Sequence, residues 1–563
     1  MTTARLRVAV EDPLVAEQHG FTWDTVRTDE EPFFLDGPGA ARMAVIDRDT
    51  DTGRLAAPAR WMPERRAYTA PDEPTAPEAI AISVFGTVLE TLAMFQRQDV
   101  LGHAVRWQFD SPQLLIVPRA GIWANAFYDR HSRSLQFFAF EGEAGRRVFT
   151  ALSRDIVAHE TGQAVLDALA PALYDALTPE SLALHEAIAD LTAITMALQS
   201  RQLRDWLVRE NGGRLDGDTP ASQLATEFGW AQRLGRPLRN AANRTRIGDV
   251  EPEPHVLAEV LTGAVWSAMV RLHAAAIERA SAGGATGSSE TLAGRALGVS
   301  AVRIARILFR ALDYLPPAEA TFADYARALL RSDTIAYAAD ETGYRDVLRQ
   351  EFVDRGIVRS ADELEHDPGR DTVSLDLNDV VESDWAAYAF VERERRWLRI
   401  PKGVPVRLFP RRLVQRRYYT GRGSHEIRQE AVLQVTWERP EVNDGLSART
   451  GLPRRRAVFH GTTLVLGCEP DSRGRYPVLS RLTTDRSRHH AVSRSEAVRR
   501  MVELGLVDVA DSWRTFAARH GPFAPVAFGR TAQGTLRLRS TARLLHLADP
   551  DTRLVLPARA SAR

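Results

Sequence analysis

The stretch DIVAHETGQAV, residues 155–165, sets His159 and Gln163 four positions apart. On a helix that interval places both side chains on one face, a turn apart, so that two donor atoms there can grip one metal ion. Glu160, beside the first donor, is positioned to take a proton from a metal-bound water. Downstream, HEAIAD repeats the interval with Glu186 and Asp190. Glu186 would complete a three-ligand set, and Asp190 would hydrogen-bond the far nitrogen of His159 and fix its tautomer. A fourth, open position is what a catalytic zinc needs for its water. The chemistry such a constellation performs is metal-assisted hydrolysis. A lone histidine on an amphipathic helix is more often a surface or packed core residue, so the reading depends on the elements around it.

Those elements follow from periodicity. PEAIAISVFGTVLETLAMFQRQ has helical spacing of apolar residues, and PQLLIVPR, ANAFYD and SLQFFAF read as strands. From Val148 to about Gly356 the pattern is helix after helix, broken by ENGGRLDGD and SAGGATGSS. Residues 1–75 form an irregular or β-containing lead-in, residues 76–360 a core, and 361–372, ADELEHDPGRDT, an acidic linker. Beyond it the period changes. AVLQVTW, AVFHGTTLVLG and TLRLRSTARLLHL predict a β-rich domain over 373–563, with one helix in SRSEAVRRMVELG opened by a capping box from Ser493 to Glu496.

In this context the sequence resembles the thermolysin-like zinc metallopeptidases of the gluzincin group, through about residues 80–356. DIVAHETGQAV followed by HEAIAD looks like the family's zinc helix and its downstream Asn-Glu-x-x-x-Asp helix, with His185 in place of the asparagine. The resemblance implies an α+β fold, a mixed sheet leading into a helical half, to which the β-rich domain is appended. It implies zinc held by His159, Glu186 and the residue at 163, Glu160 as general base and Asp190 behind His159. WANAFYD looks like the family's edge-strand motif, which makes Asn125 and the carbonyl of Ala126 the substrate-binding groups. PALYDA and EPHVLAEVLTGAVW place Tyr174 and His255 where the family stabilises an oxyanion. Segments such as RALDYLPP and DETGYRDVLRQEF resemble a bacterial cytoplasmic branch of the group.

The departure is Gln163. A neutral amide oxygen is a much poorer zinc ligand than imidazole or carboxylate, which makes zinc weak or absent. His185 is no substitute, because adjacent helical positions point about 100° apart. Two functions stay open: a weak or degenerate peptidase, or an inactive pseudopeptidase that binds a peptide or protein partner as a module or scaffold.

Composition limits the alternatives. Lys+Arg and Asp+Glu are both 73 in the 563 residues, so the overall balance favours neither nucleic acid nor an anionic membrane. The arginine and aromatic run RERRWLRIPKGVPVRLFPRRLVQRRYYTGRG reads as a solvated β face rather than a nucleic-acid site, and His489 and His490 have no companions for a metal site. The single cysteine, Cys468, excludes an internal disulfide framework. The start lacks a signal peptide's apolar core and no run reads as a membrane span, the nearest being VLAEVLTGAVWSAMVRL; the expectation is a cytoplasmic protein without a membrane partner.

Overall fold

A computed structural model describes residues 3–442, 455–484, 526–530 and 536–540, apart from 29–30, 50–51, 143–144, 175, 177, 251–252, 283–287, 341–342 and 422–423. The architecture is α+β with a β-rich C-terminal sheet. The expected helix over 493–505, His489 and His490 lie outside the described residues.

The strand Ala4–Val8 buries every second residue, Ala4, Leu6 and Val8, and lays them on the helix Pro77–Gln96. The approach is so close that a Cβ on Gly86 would stand 2.5 Å from Val8 Cγ1. Beside it lies a six-stranded sheet in the order Phe34–Leu35, Gly39–Ala40, Met43–Val45, Leu114–Val117, Ser134–Phe137, Ala126–Asp129. The last of these runs antiparallel to Ser134–Phe137 and forms the sheet's edge. The three strand-like runs of the sequence are therefore neighbours in one sheet.

Two helices carry the chemistry-bearing motifs, Arg154–Leu169 and Pro179–Gln199. They are buried on nearly all sides and touch where Gly162 meets Thr192: a Cβ on Gly162 would lie 2.7 Å from Thr192 Oγ1. The helices Pro254–Ala282, Ser289–Arg310, Phe322–Ala336 and Tyr344–Asp354 pack around them. Three helices are, by length and composition, long and apolar enough to cross a membrane: Pro77–Gln96, Pro179–Gln199 and Pro254–Ala280. This corrects the expectation that no run reads as a span. Their apolar surface is largely covered by the protein itself, 83%, 100% and 61% of the most apolar window respectively.

The C-terminal sheet is built on the long strand Ser424–Val442, flanked by Arg412–Gly421 and Arg455–Gly467. Its alternation serves two cores. Ala431, Leu433, Val435 and Trp437 face a cluster with Leu377, Val380 and Phe390 of two short helices, Leu377–Glu382 and Asp384–Arg393. Val432, with Val414, Val465 and Leu482, joins the main core. The two short helices are absent from the sequence reading, although Asp376 and Ser383 cap them in the usual way by accepting from Asp379 N and Ala386 N.

The expected linker is mostly exposed but tied down at three points. Leu364 is buried in the main core, Asp371 O accepts from Val478 N, and Pro368 O accepts from Trp397 Nε1. Two arginines of the basic run, Arg412 and Arg416, act as internal counter-ions. Glu430, fully buried, accepts from Arg310 (2.5 Å), Arg416 (3.0 Å), Tyr314 (2.9 Å) and Tyr418 (2.6 Å). Arg416 also pairs with Asp313, which His103 Nε2 approaches to 2.9 Å. Here Gly102, at φ +70°, lets the core meet the sheet: a Cβ would fall 2.3 Å from Gln415 O.

Candidate functional site

His159, Glu160 and Gln163 project from one helix toward Glu186 and Asp190 on the next, as the four-residue intervals require. His159 Nδ1 lies 3.0 Å from Asp190 Oδ1, and its Nε2 lies 3.4 Å from Glu186 Oε2. Asp190 thus stands where the sequence reading puts it, behind the imidazole.

Gln163 closes the cluster. Its amide nitrogen is 3.1 Å from His159 Nε2 and donates to Glu186 Oε1 at 2.8 Å, while its amide oxygen is buried with no hydrogen-bond partner. An amide nitrogen carries two hydrogens: one goes to Glu186 Oε1, and the other points at His159 Nε2, which accepts it only while that nitrogen carries no proton. Exchanging nitrogen and oxygen would set a carbonyl oxygen 2.8 Å from a carboxylate oxygen, a buried repulsion with no cation between them. Two carboxylates draw a proton to His159: burial alone would lower its pKa, but hydrogen bonds to Asp190 and Glu186 raise it to about 10. Proton, amide hydrogen and metal would all compete for the same Nε2 lone pair.

The residue that sequence reasoning missed is Arg239, from the short strand Arg239–Asn240. Its guanidinium donates to Asp190 Oδ1 at 2.6 Å and to Glu186 Oε2 at 3.2 Å. Two acidic groups facing one another call for a cation, and RLGRPLRNAANRTR offers several arginines, but nothing local selects among them. Burial works to raise the Glu186 pKa, yet the His159 hydrogen bond and the charges of His255 and Arg239 hold it well below the ordinary carboxylate range.

With Arg239 supplying positive charge and Gln163 supplying the hydrogens, these donors do not fit a zinc ion. The residues read as zinc ligands, His159, Glu186 and Gln163, are brought together here as hydrogen-bonding neighbours of one another. Among the described residues no group of three or more His, Cys, Asp or Glu is arranged to hold a metal.

Glu160 is buried, and burial pushes its pKa up to about 7 against the charge of His159. Its Oε2 accepts the backbone N–H of Tyr128, on the edge strand, at 2.9 Å. Residues alternate along a strand, so Ala126 and Tyr128 both turn their backbone groups away from Ser134–Phe137. Asn125 Oδ1 takes the Ala126 N–H at 2.8 Å. Both outward N–H groups of the expected peptide-binding edge are therefore engaged, and the strand itself is buried.

His255 reaches the cluster: its Nε2 is 3.8 Å from Glu186 Oε2, and its Nδ1 is 2.8 Å from Glu253 Oε1. Tyr174 is placed differently from the expectation. Its hydroxyl accepts from Arg130 N at 3.2 Å and points at Asp129 Oδ1 at 3.4 Å, beneath the guanidinium of Arg130. It packs at the end of the edge strand, next to Tyr128, whose hydroxyl donates to Asp167 at 2.7 Å. His185 faces Tyr174, 6.2 Å between ring centroids, and burial lowers its pKa to about 4.

No family model and no curated protein matches the chain. Among solved structures, the precursor of protealysin, a metalloproteinase from Serratia proteamaculans, matches with 16% identity and a TM-score of 0.32, over 59% of this chain and 90% of that one. The chemistry of the site therefore has to be read from its own geometry.

Proposed function

We propose that the chain is a peptidase-like protein of thermolysin-type design that holds an extended peptide or protein segment along its edge strand and does not hydrolyse it through zinc. The observation that carries this reading is the Gln163 amide, which donates to Glu186 Oε1 and lies against His159 Nε2 where a metal would have to sit. Support for the peptide comes from the strand Ala126–Asp129, the last strand of its sheet; its four residues are buried, with Tyr128 fully covered, so a strand that pairs with it must first displace the groups lying on it. Glu160 is its gatekeeper: a ligand that needs the Tyr128 N–H must first displace the carboxyl.

Binding of this kind is assembled from backbone acceptors. The test uses the full chain. Elemental analysis after dialysis should find no zinc, mixed unstructured peptides should survive incubation, and hydrogen exchange should show added protection over residues 125–128 when they are present. One tightly held zinc with chelator-sensitive cleavage would overturn the loss of hydrolysis. Absence of protection at the edge strand would overturn peptide binding.

A further inference from the structure

One turn before His159, on the same helix, a group of buried carboxyls has a proton inventory that does not close if every acid is ionised. Asp12 precedes the helix Pro13–His19. Its Oδ1 accepts from Leu14 N (3.0 Å), Val15 N (3.4 Å) and Glu227 N (3.0 Å), and its Oδ2 lies 2.8 Å from Ser153 Oγ. Asp155 accepts from Ile156 N (2.8 Å) on Oδ1 and from Ala225 N (2.5 Å) on Oδ2. Its Oδ1 also sits in a short contact with Ser153 Oγ.

Ser153 therefore stands between two carboxyl oxygens with one hydroxyl proton to give. It can donate to one; the other contact needs a hydrogen from the acid. Asp155 already accepts a backbone N–H on each oxygen, whereas Asp12 Oδ2 is met by the Ser153 hydroxyl. The arrangement that satisfies every contact is Asp12 Oδ2–H donating to Ser153 Oγ, and Ser153 Oγ–H donating to an ionised Asp155. All three residues are at most 6% exposed, so water does not supply the missing hydrogen.

We infer that Asp12 and Asp155 share a single proton through Ser153, and that this proton is a pH-sensitive latch joining three elements: the N-terminal segment, the start of the helix Thr226–Ala231 and the first turn of the site helix. The groups facing it agree with a held proton. Glu11 is buried with one carboxyl oxygen unpartnered, and Glu227 lies alongside. The nearby cations are committed, Arg154 to Glu90 at 2.6 Å and Arg146 to Glu227 at 2.9 Å and to Glu17 at 2.8 Å. Burial and then the mutual charge of the pair push the Asp12 carboxyl up, and burial pushes Asp155 up in spite of its hydrogen bonds. Glu11 is raised to about 8, again by burial first.

The sign follows from linkage. The latched state holds a proton that the opened chain releases at ordinary carboxylate pH, so the latch weakens as pH rises from there toward the pair's own higher value, and levels off above it. One proton of difference means a local opening constant that climbs about tenfold per pH unit in that window.

Hydrogen exchange of the full chain between about pH 5.5 and 7.5, corrected for base catalysis, reads this opening at Leu14, Val15, Ala225 and Glu227. Glu11 and Glu227 add slope of their own, so the comparison is with Asp12→Asn. In that variant Nδ2 donates permanently to Ser153 while Oδ1 keeps its three N–H contacts. The expected result is a slope smaller by one proton, about tenfold less rise per pH unit, with the amides still protected at pH 7.5. An unchanged slope in Asp12→Asn would overturn the shared proton, as would general loss of protection at all pH values. Closure of the parent by millimolar calcium at pH 7.5, with loss of the slope, would overturn it in favour of a bound cation.

Discussion

Replacing Gln163 by histidine is the change that most directly questions the reading of the site. A tetrahedral zinc with bonds near 2.0–2.1 Å holds its ligand atoms about 3.3 Å apart. His159 Nε2 and Glu186 Oε2 are already 3.4 Å apart, and the Gln163 nitrogen lies 3.1 Å from the former and 2.8 Å from Glu186 Oε1. An imidazole at 163 meets that triangle from the same helical face, with Asp190 in place behind His159. Losing a supporting group behind a metal ligand costs roughly 10–100-fold in affinity, so gaining a ligand itself should raise zinc affinity by at least ~100-fold over the parent. The Arg239 guanidinium on Glu186 opposes the gain, so removing it as well should raise the affinity further. The assay is equilibrium dialysis against chelator-buffered zinc at pH 7.5, with elemental analysis: about one equivalent in Gln163→His and far less in the parent. Adding Glu160→Gln should leave zinc uptake intact and remove any peptidase activity that arrived with the metal. A parent that already holds one zinc through dialysis refutes the argument from the amide. A folded Gln163→His that takes up none refutes the claim that the rest of the geometry is preserved.

Other expectations follow from single contacts. Glu430→Ala strands Arg310 and Arg416 without their shared carboxylate and should cost about 3–5 kcal/mol in urea unfolding; a loss under 1 kcal/mol would show that the network between helices and sheet is not what joins them. Gly162→Ala should destabilise by about 1–3 kcal/mol, because the new methyl meets Thr192 Oγ1, itself donating to Ile188 O; pairing it with Thr192→Ala should recover most of the loss, and failure to do so would place the strain elsewhere. Arg239→Met removes the counter-charge of Glu186 and Asp190 and should cost about 3 kcal/mol, seen as a lower urea midpoint; an unchanged midpoint would mean the two carboxylates are neutralised by something other than this arginine.

Much of the site is legible in the amino-acid sequence. His159, Glu160, Glu186 and Asp190 could be placed on facing helices because a four-residue interval is a local property of the helix. The strand at Ala126–Asp129 and the helices from Arg154 to Asp354 followed from runs whose period declares their partner face. Neither needs knowledge of distant residues. What the sequence left undecided is every choice among distant partners. Arg239 lies 49 residues from Asp190 and is one of several arginines in its segment. Asp12 meets Ser153 across 141 residues, and Arg416 meets Leu101 O across 315. Tyr174 was assigned to the cluster by its spacing, but packing turned its hydroxyl to Arg130 and Asp129. The two short helices over 377–393 were missed because the β-rich reading of 373–563 was drawn from the alternating runs further along, although Asp376 and Ser383 offer ordinary helix caps. Gln163 belongs to both levels. Its place on the ligand face was plain from the motif, but which end of its amide points inward was set by the charge of Glu186 beside it, and a carboxylate 23 positions away becomes a neighbour only when the two helices close on Gly162.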